Sequence, residues 1–431
     1  MGMNPITSLL NTLRDCLETL PDQRTGANSQ FAMADFGMAA FSLFFMQSPS
    51  FLEHQRRIEQ GSGRSNCQSL FGLTKIPKDS QIRKMLDPVS PELLFPAFGD
   101  IRKHLQQNSG LLETFRRLGD YTLIALDGSE YFCSEKICCE NCSTRRRRNG
   151  KIEYFHTMLA ATLVAPGHDK VIPLEPEFIT PQDGAEKQDC ENRAAKRWLA
   201  AHGRQYSQIN PIYLGDDLFA HQPLCEAVRA VGGHFIFTCK PSSHSLIQEY
   251  ITGVELPSHQ TTLKRGRKRV VHRYRWLCEV PLRDGDDAMN VNWFEIEIVD
   301  ASGKITYKNS FITDLPVDAS NVAELVDCGR TRWKIENETF NVLKSRGYNL
   351  EHNFGHGKEN LSAVLATLNL LAFAMHTVFD VTVELWRRAR MKHVTRSRFF
   401  NMIADAATLM YFPSWDECLQ TIAFARPPAP D

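Results

Sequence analysis

Apolar positions change their spacing twice along the chain and divide it into three stretches. From the start to about residue 110 the spacing is helical. MGMNPITSLLNTLRDCLETL reads as an amphipathic helix, Phe31 to Met46 as a densely apolar one, and Phe51 to Gln60 as a third, capped by Ser48 or Ser50. A polar loop, GSGRSNCQSL, then leads to a short helix over Gln81 to Leu86, set off by Pro77 and Ser80. Arg64, Lys75, Lys78, Arg83 and Lys84 lie along these small helices and turns. They suit contacts to DNA phosphates or the solvated face of a dimerisation region.

At Tyr121 the pattern becomes that of strands. YTLIALDGSEYF, KIEYFHTMLAATLVAP and HDKVIPLEPEFI read as three successive strands separated by Gly, Pro and polar clusters. A helix over Glu186 to Ala201, a strand over Pro211 to Gly215, a helix over Leu218 to Val231 and the strand GHFIFTCK follow. That order is the order of an RNase H-like core, a mixed α/β sheet with acidic residues at strand ends. RYRWLCEVPL, NVNWFEIEIVD and ITYKNSFITDL form a β-rich insertion before a last core helix. The expected division is residues 1–115 helical, 116–240 core, 241–318 insertion, 319–385 core again, and 386–431 a basic helical tail.

The last core helix lies in Cys328 to Lys358, CGRTRWKIENETFNVLKSRGYNLEHNFGHGK. Trp333, Ile335, Phe340 and Leu343 form its apolar stripe, and Arg332, Glu336 and Lys344 share a neighbouring face. By itself this is an i,i+4 ion pair on a solvated helix. Beyond it, Leu361 to Val383 is apolar at helical spacing and is expected to pack against the sheet.

The chain has 431 residues, 42% hydrophobic and 23% charged, enough for two or three domains. Fifty basic residues balance fifty acidic ones, so any basic surface is local. Arg145 to Arg148 (RRRR) and Lys264 to Arg269 (KRGRKR) are the two local runs. Neither a signal peptide nor a membrane helix is expected, and the twelve cysteines read as reduced thiols. Together these place the chain in the cytoplasm of a prokaryotic cell, on the nucleoid when bound to DNA.

Asp127 and Asp216 each close an apolar strand far upstream of Glu336. Two strand ends and one helix can bring three carboxylates to one sheet edge, where they hold two divalent cations. In-line phosphoryl transfer requires this: two metals about 3.5–4 Å apart activate the attacking oxygen and stabilise the leaving one. Mg²⁺, or Mn²⁺ in its place, prefers such oxygen ligands. Asp217 competes with Asp216, and one of the two is expected to cap the helix starting at Leu218.

LIALDG around Asp127, IYLGDDLF around Asp216 and RWKIENETFNVLK around Glu336 resemble the DDE-class insertion-sequence transposases, especially the IS-four-like group with a β-rich insertion. The likeness covers roughly residues 120 to 385. It implies Asp127, Asp216 and Glu336 as the catalytic metal ligands, with Phe219 three residues beyond Asp216 matching the family's aromatic. It also implies DNA contacts from Arg332 and Lys344. The family's tyrosine falls at Gly329, and its lysine comes one residue late at Lys344. The implied activity is cleavage at the element's terminal inverted repeats and transfer of the freed 3′-OH into target DNA, by a homodimer on double-stranded DNA. A nuclease without strand transfer, or an inactive domesticated DNA-binding protein, are the alternatives.

Cys139 and Cys142 form a CxxC to which His156 or Cys190 would add ligands for a structural zinc; a hairpin of reduced thiols, with Cys133 and Cys138, is the competing reading. Arg145, Arg146, Arg147 and Arg148 suit a phosphate-contacting loop, as do Lys264, Arg265, Arg267, Lys268 and Arg269 in the insertion. Trp276 and Trp293 fit a core, or a stack on an extruded base. His352 and His356 fit a hydrogen-bonded turn. No phosphate-binding GxxxxGK[ST] loop or dinucleotide fingerprint occurs.

Overall fold

The computed structural model describes residues 4–25, 30–59, 65–107, 112–181, 190–265, 268–393 and 395–424. Six helices come first: α1 (Pro5–Glu18), α2 (Met33–Phe45), α3 (Phe51–Ile58), α4 (Asn66–Phe71), α5 (Asp79–Leu86) and α6 (Pro96–Gln107). Their starts follow local chemistry. Asn4 accepts from the Ile6 N–H with Pro5 at the first helical position, and Ser50, not Ser48, caps α3 through the Glu53 N–H. α2 is buried on nearly every side, as its unbroken apolar composition requires.

The strands are β1 (Arg116–Arg117), β2 (Tyr121–Ser134), β3 (Ser143–Arg146), β4 (Ile152–Val164), β5 (Ile172–Pro173) and β6 (Glu177–Ile179). Then come α7 (Glu191–Trp198), α8 (Arg204–Tyr206), β7 (Pro211–Gly215), α9 (Gln222–Ala230), β8 (His234–Thr238) and α10 (Ser245–Thr252). The sheet continues through β9 (Ser258–Arg265), β10 (Lys268–Pro281), β11 (Asn290–Val299) and β12 (Ile305–Thr313). All twelve form one mixed sheet, whose main path runs β3-β4-β2-β7-β8-β12-β11-β10-β9. β2, β7 and β8 are mutually parallel, and β4 runs antiparallel to β2. The β-rich segment therefore extends the core sheet across the β8–β12 pairing.

α11 (Val322–Arg330) ends at a turn, and the chain resumes as one widened π turn over Ile335–Phe340 before α12 (Asn341–Ser345). The helix expected within Cys328 to Lys358 runs unbroken from Trp333 to Ser345, widened to π geometry over Ile335–Phe340 and set off from α11 by a turn at Thr331 and Arg332. Ile335, Phe340 and Leu343 are buried as expected, whereas Trp333 is 45% exposed.

α13 (Leu361–Thr382), α14 (Glu384–Met391), α15 (Arg396–Leu409) and α16 (Trp415–Phe424) complete the chain. Residues 361–379 contain no Asp, Glu, Lys or Arg, so α13 is by length and composition apolar enough to cross a membrane. Here it is a core helix, with 89% of its most apolar 18-residue stretch buried. Its main partner is α2, with α6 and β5 also packed on it, so the sheet is the lesser part of its cover. Phe45 of α2 meets His376, Phe379, Trp386 and Trp415 edge to face or tilted, which joins the first and last helices in one core.

Candidate functional site

Parallel pairing of β2 with β7 sets Ala125 opposite Leu214. Two residues further on, Asp127 and Asp216 reach the same level on neighbouring strands. Asp127 sits within β2, which continues to Ser134 along β4; Asp216 follows the end of β7. The next residue on each strand faces the other way. Asp217 is buried, accepts a hydrogen bond from the Lys240 N–H at 2.5 Å and lies 3.4 Å from His244 Nε2. Asp216 caps a tight turn through the Leu218 N–H at 2.9 Å. The helix behind this turn begins at Gln222, with His221 in the capping position, so neither aspartate caps it as expected.

Arg332 reaches across from the irregular helix. Its guanidinium is 3.0 Å from Asp127 Oδ2 and 2.6 Å from Glu336 Oε1, tying strand to helix. Glu336 is itself half exposed. On its own the i,i+4 pair with Glu336 is worth about 0.3–0.5 kcal/mol, and the pair with Asp127 is the more buried of the two.

A fourth carboxylate joins them that the sequence reading missed. Glu191, at the first position of α7, lies against Gly128: a Cβ there would meet Glu191 Oε1 at 2.1 Å. The glycine in LIALDG is the signal, since glycine inside a strand marks close approach of another group. Burial pushes the Asp127 carboxyl up to about 7; Arg332 opposes this, and Glu191, Glu336 and Asp216 add to it. Glu191 is itself raised, by burial and by Asp216. A groove of about 390 Å³ beside Glu191 is walled by Phe155, Ile179 and Leu218.

The other candidates lie apart from this cluster. Lys344 pairs with Glu351 at 2.9 Å. Arg145 bridges Glu130 and Glu153, and Arg147 pairs with Glu153, while Arg146 and Arg148 are exposed beside them. Lys264 and Arg269 are exposed on the β9–β10 hairpin, where Lys264 pairs in register with Arg269 and Arg265 with Lys268. Arg267 and the side chains of Arg265 and Lys268 lie outside the described residues. Trp276 and Trp293 are buried, Trp293 almost completely. Cys190, at the start of α7, is exposed and lines the groove beside Glu191.

No family model and no curated protein matches the chain. Among solved structures, a piggyBac transposase synaptic complex with hairpin DNA is similar at a TM-score of 0.38 and 10% identity, over 100% of this chain and 84% of that one. A likeness that distant carries no weight, and the functional reading rests on the site.

The donor set around Asp127 is entirely oxygen, with one arginine against four carboxylates. That chemistry fits Mg²⁺ or Mn²⁺ and not a metal that selects nitrogen or sulfur.

Proposed function

We propose that the chain is a DNA transposase of the DDE class, with Asp127, Asp216 and Glu336 as its metal ligands. What supports this is the meeting of a carboxylate within β2 and one just past the end of the neighbouring β7 with a third on a helix, Arg332 bridging Asp127 and Glu336. A strand order with β4, β2, β7 and β8 adjacent, β4 alone antiparallel, is that of an RNase H-like core and supports the reading. A carboxyl held near pH 7 by burial and like charge is what a cation site looks like electrostatically.

Bound divalent ions would supply charge for the attacking and leaving oxygens of a phosphodiester. The chain's own groups do the positioning. Arg332 holds Asp127 and Glu336 apart from one another's charge and, with DNA present, would turn to a phosphate in bidentate fashion. Glu191 adds a fourth carboxylate at the mouth of the groove. Trp333, exposed beside Arg332, offers a stacking face for a base. Exposed Arg146, Arg148, Lys264 and Arg269 would track the backbone of double-stranded DNA. Residues 1–115 would help bind DNA or join two copies, and a homodimer would bring two element ends together.

The test is incubation of the protein with Mg²⁺, a labelled duplex carrying the element's ends, and a supercoiled target plasmid. Transposition predicts label covalently joined to plasmid. Cleaved duplex with no joined product would instead indicate a nuclease, and tight binding without cleavage would leave only a DNA-binding role.

A further inference from the structure

A second cluster of metal-binding side chains stands apart from the carboxylates. Cys139 and Cys142 lie in the hairpin after β2, His156 on β4, and His356 in the segment between α12 and α13. Cys142, His156 and His356 are buried, and all four ligand atoms lie within 4.8 Å of one another.

The individual distances are more informative. Cys139 Sγ is 3.8 Å from Cys142 Sγ and 3.5 Å from His156 Nε2; Cys142 Sγ is 3.5 Å from His156 Nε2 and 3.4 Å from His356 Nε2; the two Nε2 atoms are 3.1 Å apart. A tetrahedral zinc with Zn–S of ~2.3 Å and Zn–N of ~2.05 Å requires edges of about 3.8 Å for S–S, about 3.5 Å for S–N and about 3.3 Å for N–N. Five of the six edges follow those values to within about 0.2 Å, and the sixth, Cys139 Sγ to His356 Nε2, is within 4.8 Å.

Hydrogen bonding without a cation accounts for only part of the geometry: a thiol S–H can donate to an imidazole nitrogen at these sulfur–nitrogen distances, but the two Nε2 atoms 3.1 Å apart are left facing each other. His356 Nδ1 is 3.0 Å from the Gly357 carbonyl oxygen, so that nitrogen carries the proton and Nε2 keeps its lone pair. His156 likewise engages the backbone of Asn141. Two imidazole lone pairs facing each other at close range, beside two sulfurs, repel unless a cation lies between them. The backbone contacts are also those that orient histidine ligands around a metal. The Cys139 N–H points at Cys142 Sγ at 3.4 Å, and the Cys142 N–H closes the turn onto the Cys139 carbonyl at 3.2 Å.

We propose that Cys139, Cys142, His156 and His356 bind one zinc ion. Two thiolates and two imidazoles in tetrahedral array select zinc over magnesium or calcium. Four protein ligands leave no open position, so the ion is structural. It staples the hairpin that continues the Asp127 strand to the segment that follows the Glu336 helix, with His356 214 residues beyond Cys142. Phe132 against His356 and Tyr131 stacked on His156 close the site from the β2 side. Of the two further ligands the sequence offered, His156 is part of the cluster and Cys190 is not, and His356, read there as part of a hydrogen-bonded turn, completes it.

The test is the metal content of the full chain purified from zinc-supplemented cells, together with the absorption spectrum of its cobalt-substituted form. About one zinc per chain is expected, with a thiolate-to-cobalt charge-transfer band and the intense visible bands of a tetrahedral centre. Cys142→Ser and His356→Ala should each lower the zinc content at least tenfold, while Cys138→Ser and Cys190→Ser leave it unchanged. Should the ligand variants fail to fold, the wild-type stoichiometry and cobalt spectrum still decide. Wild type without stoichiometric zinc, an octahedral cobalt spectrum, or equal zinc loss in Cys138→Ser or Cys190→Ser would overturn the proposal.

Discussion

The cost of holding Asp127 where it is can be read from a single side chain. Its carboxyl is raised to about 7 by burial, with Glu191, Glu336 and Asp216 adding to the effect and only Arg332 opposing it. A carboxyl raised in the folded state contributes its full stability below the unfolded value near 3.8, and that stability is lost as pH rises through 7. With EDTA present, Asp127→Asn is therefore expected to unfold at a higher temperature than wild type at pH 8, and the difference should vanish near pH 4. Three pH units set a ceiling of about 4 kcal/mol, and losing a charged hydrogen bond to Arg332 offsets about 1.5–3 kcal/mol of it. A variant less stable than wild type at pH 8 by as much as at pH 4 would contradict the electrostatic account. The Arg-x₃-Glu spacing is a local pattern and was legible, whereas Asp127 was read as closing a strand and instead lies within β2, because pairing with β4 carries that strand on to Ser134. Glu191 was legible only through Gly128. Asp217 differs from Asp216 in accepting the Lys240 N–H, a contact that no local pattern carries.

Elements were legible where spacing is regular and obscure where the backbone departs from it. α1, α2, α3, β2, β4, β7, β8 and α13 lie close to where apolar spacing puts them. The break between α11 and α12 has no proline and no glycine later than Gly329 to announce it, and the π turn at Ile335–Phe340 holds Glu336 in a conformation that regular spacing does not describe. The segment after α12 is likewise held from elsewhere. Asp87, just beyond α5, accepts the N–H groups of Lys358, Glu359 and Leu361 at the start of α13. It satisfies orphan donors there and places a negative charge at the positive end of that helix. Asp87→Ala should lower the unfolding free energy by about 2–3 kcal/mol, read as a fall in the urea midpoint at unchanged slope. A change below about 0.5 kcal/mol would mean that the segment is held by its apolar contacts alone.

At the scale of the whole molecule, the helical beginning and end share one core around α2 and α13, while one twelve-stranded sheet carries both the carboxylates and the β-rich extension. Neither joint was legible in the sequence. Long-range pairing such as β8 with β12, or Phe45 with Trp415, leaves no trace in local periodicity. It also decides the fate of α13, whose composition alone would permit a membrane span. The shared sheet holds Asp127 within β2 beside Asp216, just past the end of β7, while α7 and the π-widened helix bring Glu191 and Glu336 to them, the arrangement on which the proposed function rests. The measurement that tests this most directly is Mn²⁺-dependent cleavage of the element's end by wild type, Asp127→Ala, Asp216→Ala, Asp217→Asn and Glu336→Ala, each first shown to be folded. Loss of at least a hundredfold is expected for Asp127→Ala, Asp216→Ala and Glu336→Ala, with Asp217→Asn retaining cleavage. Full activity in Glu336→Ala, or loss in Asp217→Asn with activity kept in Asp216→Ala, would contradict the assignment.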